Sequence, residues 1–289
     1  MQSLYDVPAP AKLNLFLHIT GRRADGYHLL QSVFMLIDWC DTLHFSVRAD
    51  GQISREDLSW ALPADDLVVR AARMLQHAAN CPLGAHIGIA KSIPAQAGMG
   101  GGSSDAASTL LALNRLWKLN LPLQTLARMG LSLGADVPFF LSGQHAWVEG
   151  IGEKLTPIAL PHERFVVVKP DTGLQTQLIF SDPALKRDSE TAIISGFAAD
   201  AHGSLFSYGR NDLQAVAQRL CPDVTQALEW LKSQGLNGRM TGSGSAVFAQ
   251  LLHGIDVSSA PSAWQVRLCS NMDVHPLMGW ATSDGTMTV

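Results

Sequence analysis

Four of the five residues from Gly98 to Gly102 are glycine, and Ser103 and Ser104 follow directly. Glycine permits positive φ and lets a ligand approach the main chain. Ser103 or Ser104 is expected to cap a helix, with Asp105 in its first turn, where a carboxylate suits the helix dipole. Ala106, Leu110, Leu113 and Trp117 then recur at helical spacing. A glycine loop feeding the N-terminus of a buried helix gathers unpaired N–H groups into an anion site. The plainer reading is a flexible loop before a capped helix. No lysine follows the glycines, so the loop is not a Walker A motif, and it lacks the third glycine and distant acid of the dinucleotide fingerprint. The pattern points to a nucleotide-phosphate loop of another kind.

Two further residue types can do chemistry. In the run Ala11 to Thr20, Leu13, Leu15, Leu17 and Ile19 share one face, while Lys12, Asn14, Phe16, His18 and Thr20 share the other. Phe16 among polar residues suggests a face that lines a site, although a solvated strand lysine would also account for Lys12. Asp136 lies in GADVPFFL, where Pro138 is expected to hold Val137 extended. It is either an Asx turn or a carboxylate presented to a hydroxyl. Tyr27 and His28 follow the turn 21–26; they are a structural pair, or they stack on and hydrogen-bond a flat heterocycle.

These groups need elements to hold them. Strands are expected at 32–37 and 42–47, joined by a turn at 39–41, and the stretch 50–63 reads as loop. A helix is expected over 65–79 and a strand over 85–91, which delivers the chain to the glycine loop. A second helix spans 122–133, with Gly134 as its stop. Short strands follow at 145–149 and 154–158, and a boundary at 157–161 divides the chain into units 1–158 and 159–289. In the second unit, 165–169 is a buried strand and 175–180 leads into a short turn. Helices are expected at 212–220 and 224–234. The glycine cluster 238–245 is either a tight hairpin or a backbone wall against the first glycine loop, and it precedes a strand at 246–252. Residues 255–263 are irregular, and terminal strands are expected at 266–269 and 272–274. The mixture gives an α+β, two-domain chain.

Composition bounds the function. The 289 residues are 47% hydrophobic and 16% charged, with a net charge of -4, so no nucleic-acid or membrane surface is indicated. The four cysteines form no CxxC pair, which argues against structural zinc and fits a reducing compartment. The N-terminus has no signal-peptide pattern and no run is long enough to span a membrane, so a cytoplasmic protein is expected.

The runs PAKLNLFLHITGRRADGYH, PAQAGMGGGSSDAA, LGADVPFF and MTGSGSAVFA, in this order, resemble the GHMP kinase superfamily over about residues 8–252. The resemblance implies a ribosomal protein S5 domain 2-like N-terminal domain, a ferredoxin-like C-terminal domain and an active site between them. It implies that ATP phosphates are wrapped by Pro94, Ala95, Gln96, Ala97, Gly98, Met99, Gly100, Gly101, Gly102, Ser103 and Ser104. It implies that Lys12 and Asp136 are catalytic, with Asp136 taking the proton of a substrate hydroxyl. The branch it most resembles acts on a cytidine-diphosphate-linked methylerythritol. By that likeness Tyr27 and Phe180 sandwich the cytosine, His28 reads its polar edge, and Asn14 and Thr176 help hold the substrate. Mg²⁺ is implied by ATP chemistry, with Ser103, Ser104 and Asp105 as candidate ligands. Met99 stands where the family usually has leucine, a volume-conserving exchange. The segment 255–263 is shorter and less helical than its family counterpart. The competing expectations are another small-molecule GHMP kinase, of mevalonate type, and a silent nucleotide-binding regulator.

Overall fold

The computed structural model describes residues 2–197 and 208–282. Two antiparallel strands, β1 (Ser3–Arg22) and β2 (His28–Arg48), form its spine. β1 occupies one edge of β2; β4 (Gly84–Ala90) and β5 (Ala146–Glu149) share the other at different heights. β3 (Ile53–Asp57) joins β4 in parallel, and β6 (Lys154–Pro157) closes the far side. The prolines at 8 and 10 sit in β1 because an edge strand does not need every N–H for the sheet.

The expected break at 39–41 is a bulge within one continuous strand. Pro10 pairs with Cys40 while Ala11 pairs with Ile37, so extra residues bend β2 without ending it. The fully buried Asp41 carboxylate makes the bend useful, since it accepts from Ser92 N at 2.5 Å and Ile93 N at 2.7 Å. β3 replaces part of the expected loop at 50–63.

Helices cover one face of this sheet. α1 (Leu67–Ala78) is capped by Asp66, whose Oδ1 accepts from Val69 N at 3.0 Å. α2 (Gly101–Leu116) is buried almost throughout, with α3 (Leu123–Leu133) and α4 (Val137–Ser142) beside it. Val137 is therefore helical, not extended. Pro138 falls in the first turn of α4, where its missing N–H removes no intrahelical bond.

The second sheet is antiparallel in the order β10 (Gln265–Ser270), β7 (Arg164–Lys169), β9 (Val247–Gln250), β8 (Arg239–Met240). Residues expected to lead into a turn form the short helix α5 (Thr176–Ser181). α6 (Gln214–Leu220) and α7 (Pro222–Ser233) cover a core of Val166, Val168, Leu231 and Val247. Phe16, Trp147, Phe165 and Phe248 belong to a further core cluster that joins the two sheets. The expected strand at 272–274 is a return crossing with isolated bridges. Met272 N donates to Leu36 O, His275 N to Gly143 O, and Leu277 is buried in the first core.

Candidate active site

The outer edge of β1 is where the two halves meet. Lys12 N donates to Met99 O at 3.0 Å, Asn14 N to Thr241 Oγ1 at 2.9 Å, and Leu17 N to Arg210 O at 2.9 Å. One edge strand thus fixes the first glycine loop, the second glycine loop and the segment before α6. A cleft of about 830 Å³ opens at this junction. It is lined by Lys12, Asn14, Asp136, Thr176 and Phe180, by the loop from Pro94 to Ser103, and by Gly242 to Gly244.

The glycines have a conformational reason. Gly98 and Gly100 hold φ of 71° and 73°, in the left-handed region. Gly100 itself is the N-cap of α2, so the cap is not a serine as expected; the loop's last two glycines are already helix. Ser104 N donates to Gly100 O at 2.9 Å, which leaves the N–H groups of residues 101–103 without intrahelical partners. Ser103 lines the cleft, whereas Ser104 is fully buried and its hydroxyl has no partner among the described residues.

Asp105 lies beyond the first turn and does not serve the helix dipole. It faces Lys91, whose Nζ donates to Asp105 Oδ2 at 2.5 Å and also to Asp41. Burial pushes Asp105 up to about 8, against the pull of Lys91. Its Oδ1 has no partner among the described residues. Lys91 and Asp41 join the site although by sequence they read as a strand end and a turn residue. Their signal was a lysine directly before the glycine loop and an aspartate in a bulge that periodicity read as a turn.

The second glycine cluster satisfies both of its readings at once. It is the β8–β9 connection, and it is a wall: Ser245 N donates to Gln96 O at 3.0 Å and Ala246 N to Ala97 O at 3.2 Å.

Lys12 and Asp136 come together across this cleft with Nζ and Oδ2 3.7 Å apart. Lys12 is 3% exposed, and burial lowers its pKa while Asp136 opposes that shift. Its Nζ also donates to Asn14 Oδ1 and stands 4.6 Å from the Phe34 ring centre. Asn14 Nδ2 donates to Ser32 Oγ at 2.9 Å, so the amide is held from behind. Asp136 occupies the N-cap position of α4. At the other end of the cleft Thr176 Oγ1 lies 2.7 Å from Ser243 Oγ. The His28 and Phe180 rings are 5.1 Å apart. Tyr27 is 60% exposed and does not line the cleft.

A buried lysine beside a carboxylate at the mouth of a glycine anion loop is a phosphoryl-transfer arrangement. Sequence comparison agrees: the GHMP kinases N terminal domain matches residues 66–144, and the GHMP kinases C terminal domain matches residues 191–264. A relative in Albidiferax ferrireducens, 4-diphosphocytidyl-2-C-methyl-D-erythritol kinase, is 75% identical over 284 residues and covers 98% of each chain. The chain belongs to the GHMP kinases. It is a small-molecule kinase that uses ATP. A second relative of the same name, from Polaromonas sp., is 67% identical over 97% of this kinase and 95% of its own length. The crystal structure of a 4-(cytidine 5'-diphospho)-2C-methyl-D-erythritol kinase superposes with a TM-score of 0.76 at 31% identity, over 93% of this kinase and 98% of that chain. Homoserine kinase from Cytophaga hutchinsonii shares the fold, with a TM-score of 0.68 at 14% identity over 95% and 96% of the chains.

Proposed function

We propose that this cytoplasmic kinase transfers the γ-phosphoryl group of ATP to the 2-hydroxyl of 4-diphosphocytidyl-2-C-methyl-D-erythritol, on the non-mevalonate route to isoprenoid precursors. The observation that carries the reading is the 3.7 Å approach of Lys12 to Asp136 beside the glycine loop. Similarity to relatives of that name supports the choice of acceptor.

The ATP phosphates lie along Pro94 to Ser104, against N–H groups that need no reorganisation to meet negative charge. Asp136 accepts the proton of the 2-hydroxyl as that oxygen bonds to the γ-phosphorus. The bond from that phosphorus to the β-bridging oxygen breaks, and ADP leaves with its electron pair. Lys12 stands beside Asp136 and steadies the charge on the attacking oxygen. Asn14 and Ser32 hold Lys12 in place. Phe180, which lines the cleft, stacks on one face of the cytosine; Tyr27 and His28, outside that lining, close on its other face and its edge when substrate binds, and Thr176 holds the substrate near the second glycine loop. No group of three or more His, Cys, Asp or Glu suited to a metal occurs among the described residues. Mg²⁺ would be held by phosphate oxygens together with Ser103 and Asp105, which both line the cleft, the latter with an unpaired Oδ1. When bound, it neutralises phosphate charge.

ADP release from the purified protein with Mg-ATP, with and without the cytidyl substrate, tests the proposal. Substrate-dependent release that falls ~10²- to 10⁴-fold in Asp136→Asn is expected. Release that survives in the variant overturns Asp136 as the base. Release with mevalonate instead of the cytidyl substrate overturns the acceptor.

A further inference from the structure

Arg187 lies after α5 and makes four hydrogen bonds beside Phe180, which lines the cleft. Its Nη2 donates to Phe180 O at 3.2 Å and Asp182 O at 2.7 Å, and its Nη1 to Leu185 O at 2.9 Å. Its Nε–H points at His28 Nε2 at 3.0 Å. A guanidinium can only donate, so Nε2 must be the unprotonated nitrogen of the ring. The neutral imidazole then carries its proton on Nδ1. Among the described residues no protein group bonds Nδ1. An imidazolium would set an N–H against the Nε–H of Arg187. Burial, Arg187 and Arg22 all lower the pKa of His28 accordingly.

We infer that Arg187 is a positioning residue that fixes His28 in its Nδ1–H form and so makes the site select cytosine over uracil. This rests on the cytidyl reading given above. Cytosine N3 is a hydrogen-bond acceptor, whereas uracil carries N3–H. A ring locked with a single donor and no acceptor pairs with the first and opposes the second. Were Nε2 protonated instead, Nδ1 would be an acceptor and the preference would reverse. The other bonds of Arg187 tie this choice to Phe180, whose ring packs 5.1 Å from His28. One side chain therefore sets both the stacking residue and the polarity of the edge reader. Arginine suits this because its planar fork reaches several acceptors in fixed directions at once.

The test uses the full-length protein and two readouts. ¹⁵N NMR of the histidine-labelled free enzyme reports the tautomer; steady-state kinetics compares the cytidyl substrate with its uridyl counterpart. The wild type is expected to show His28 protonated at Nδ1 alone. In Arg187→Met the Nε2–H form emerges. KM for the cytidyl substrate rises while kcat holds, and the cytidyl-over-uridyl ratio of kcat/KM falls about tenfold or more, as for a lost donor–acceptor match. Arg187→Lys keeps a donor and is expected to restore the Nδ1–H form and part of the ratio. A merely structural arginine would lower activity on both nucleotides and leave the ratio unchanged, which overturns the inference. Wild-type His28 protonated at Nε2 overturns it without any variant. If the wild type turns over neither nucleotide, the proposed function fails and takes this inference with it. If it turns over the cytidyl substrate and the variant ratio is unchanged, only the inference fails.

Discussion

Gly98 and Gly242 meet main chain to main chain. A β-carbon on Gly242 would stand 2.5 Å from the Gly98 carbonyl oxygen, and one on Gly98 would overlap the Thr241 carbonyl. Both residues have positive φ, 71° and 52°. Neither position has room for a side chain, and neither backbone suits one.

Gly242→Ala is therefore expected to push the two glycine loops apart. Strain and overlap together should destabilise the protein by ~2–4 kcal/mol. The expected result in thermal unfolding is a lower Tm, with KM for ATP raised in the protein that remains folded. An unchanged Tm and KM would show that the loops yield without consequence.

Lys91 shares its amine between two carboxylates that are almost entirely out of water. Lys91→Met leaves Asp41 and Asp105 facing each other without a cation, and should cost about 3–5 kcal/mol. Measured well above pH 8, where Asp105 gives up its proton, adding Asp105→Asn removes one of the two carboxylate charges and is expected to recover part of that loss. Urea denaturation of the single and double variants measures both. Equal stability of the two would show that the triad is not coupled.

Lys12→Met tests the proposed role of the catalytic amine. The substitution keeps most of the buried stem, so the fold should survive. Turnover should fall ~10²- to 10³-fold, the scale of one lost charge-stabilising group. Single-turnover phosphorylation separates this from a slowed product release, and retention of more than a tenth of the wild-type rate would remove Lys12 from the chemistry.

His145 and His275 set an acid limit on folding. Both are buried and held near 4 by that burial; each accepts a backbone N–H at Nδ1 and leaves Nε2 unpaired. Unfolded histidine titrates near 6.5. Between about 6.5 and 4 the unfolded chain binds protons that the folded chain refuses, so stability falls as pH falls. The loss should approach roughly 2–3 kcal/mol per histidine at the lower end. Urea midpoints at pH 7, 6, 5 and 4 should decline in that window, and His275→Gln should flatten the decline. A flat profile in the wild type would overturn the assignment.

The strands and helices that carry the site were legible because their patterns are local. The strand run at 11–20, the glycine loop and the helix after it could each be found from a dozen residues. What was not legible depends on partners distant in sequence. Asp41 reads as a turn residue until residues 92 and 93, some fifty positions later, supply the N–H groups that hold it in a bulge. Val137 reads as extended before a proline because nothing local shows that Pro138 starts a helix rather than ending a strand. Ser103 and Ser104 outrank Gly100 as caps by propensity, but the loop needs a left-handed residue there. Arg187 carries no motif at all; its meaning comes from His28, 159 positions earlier.

The chain passes between the two sheets once after β6, and again where β10 gives way to the segment that reaches Leu36 and Gly143. A pair of bodies joined by a single strand of chain can swivel in any direction. Two covalent crossings, together with the aromatic cluster the sheets share and the bonds from Ser245 and Ala246 to the first glycine loop, remove that freedom: the segment after β10 works as a clasp that keeps the second sheet seated against the first.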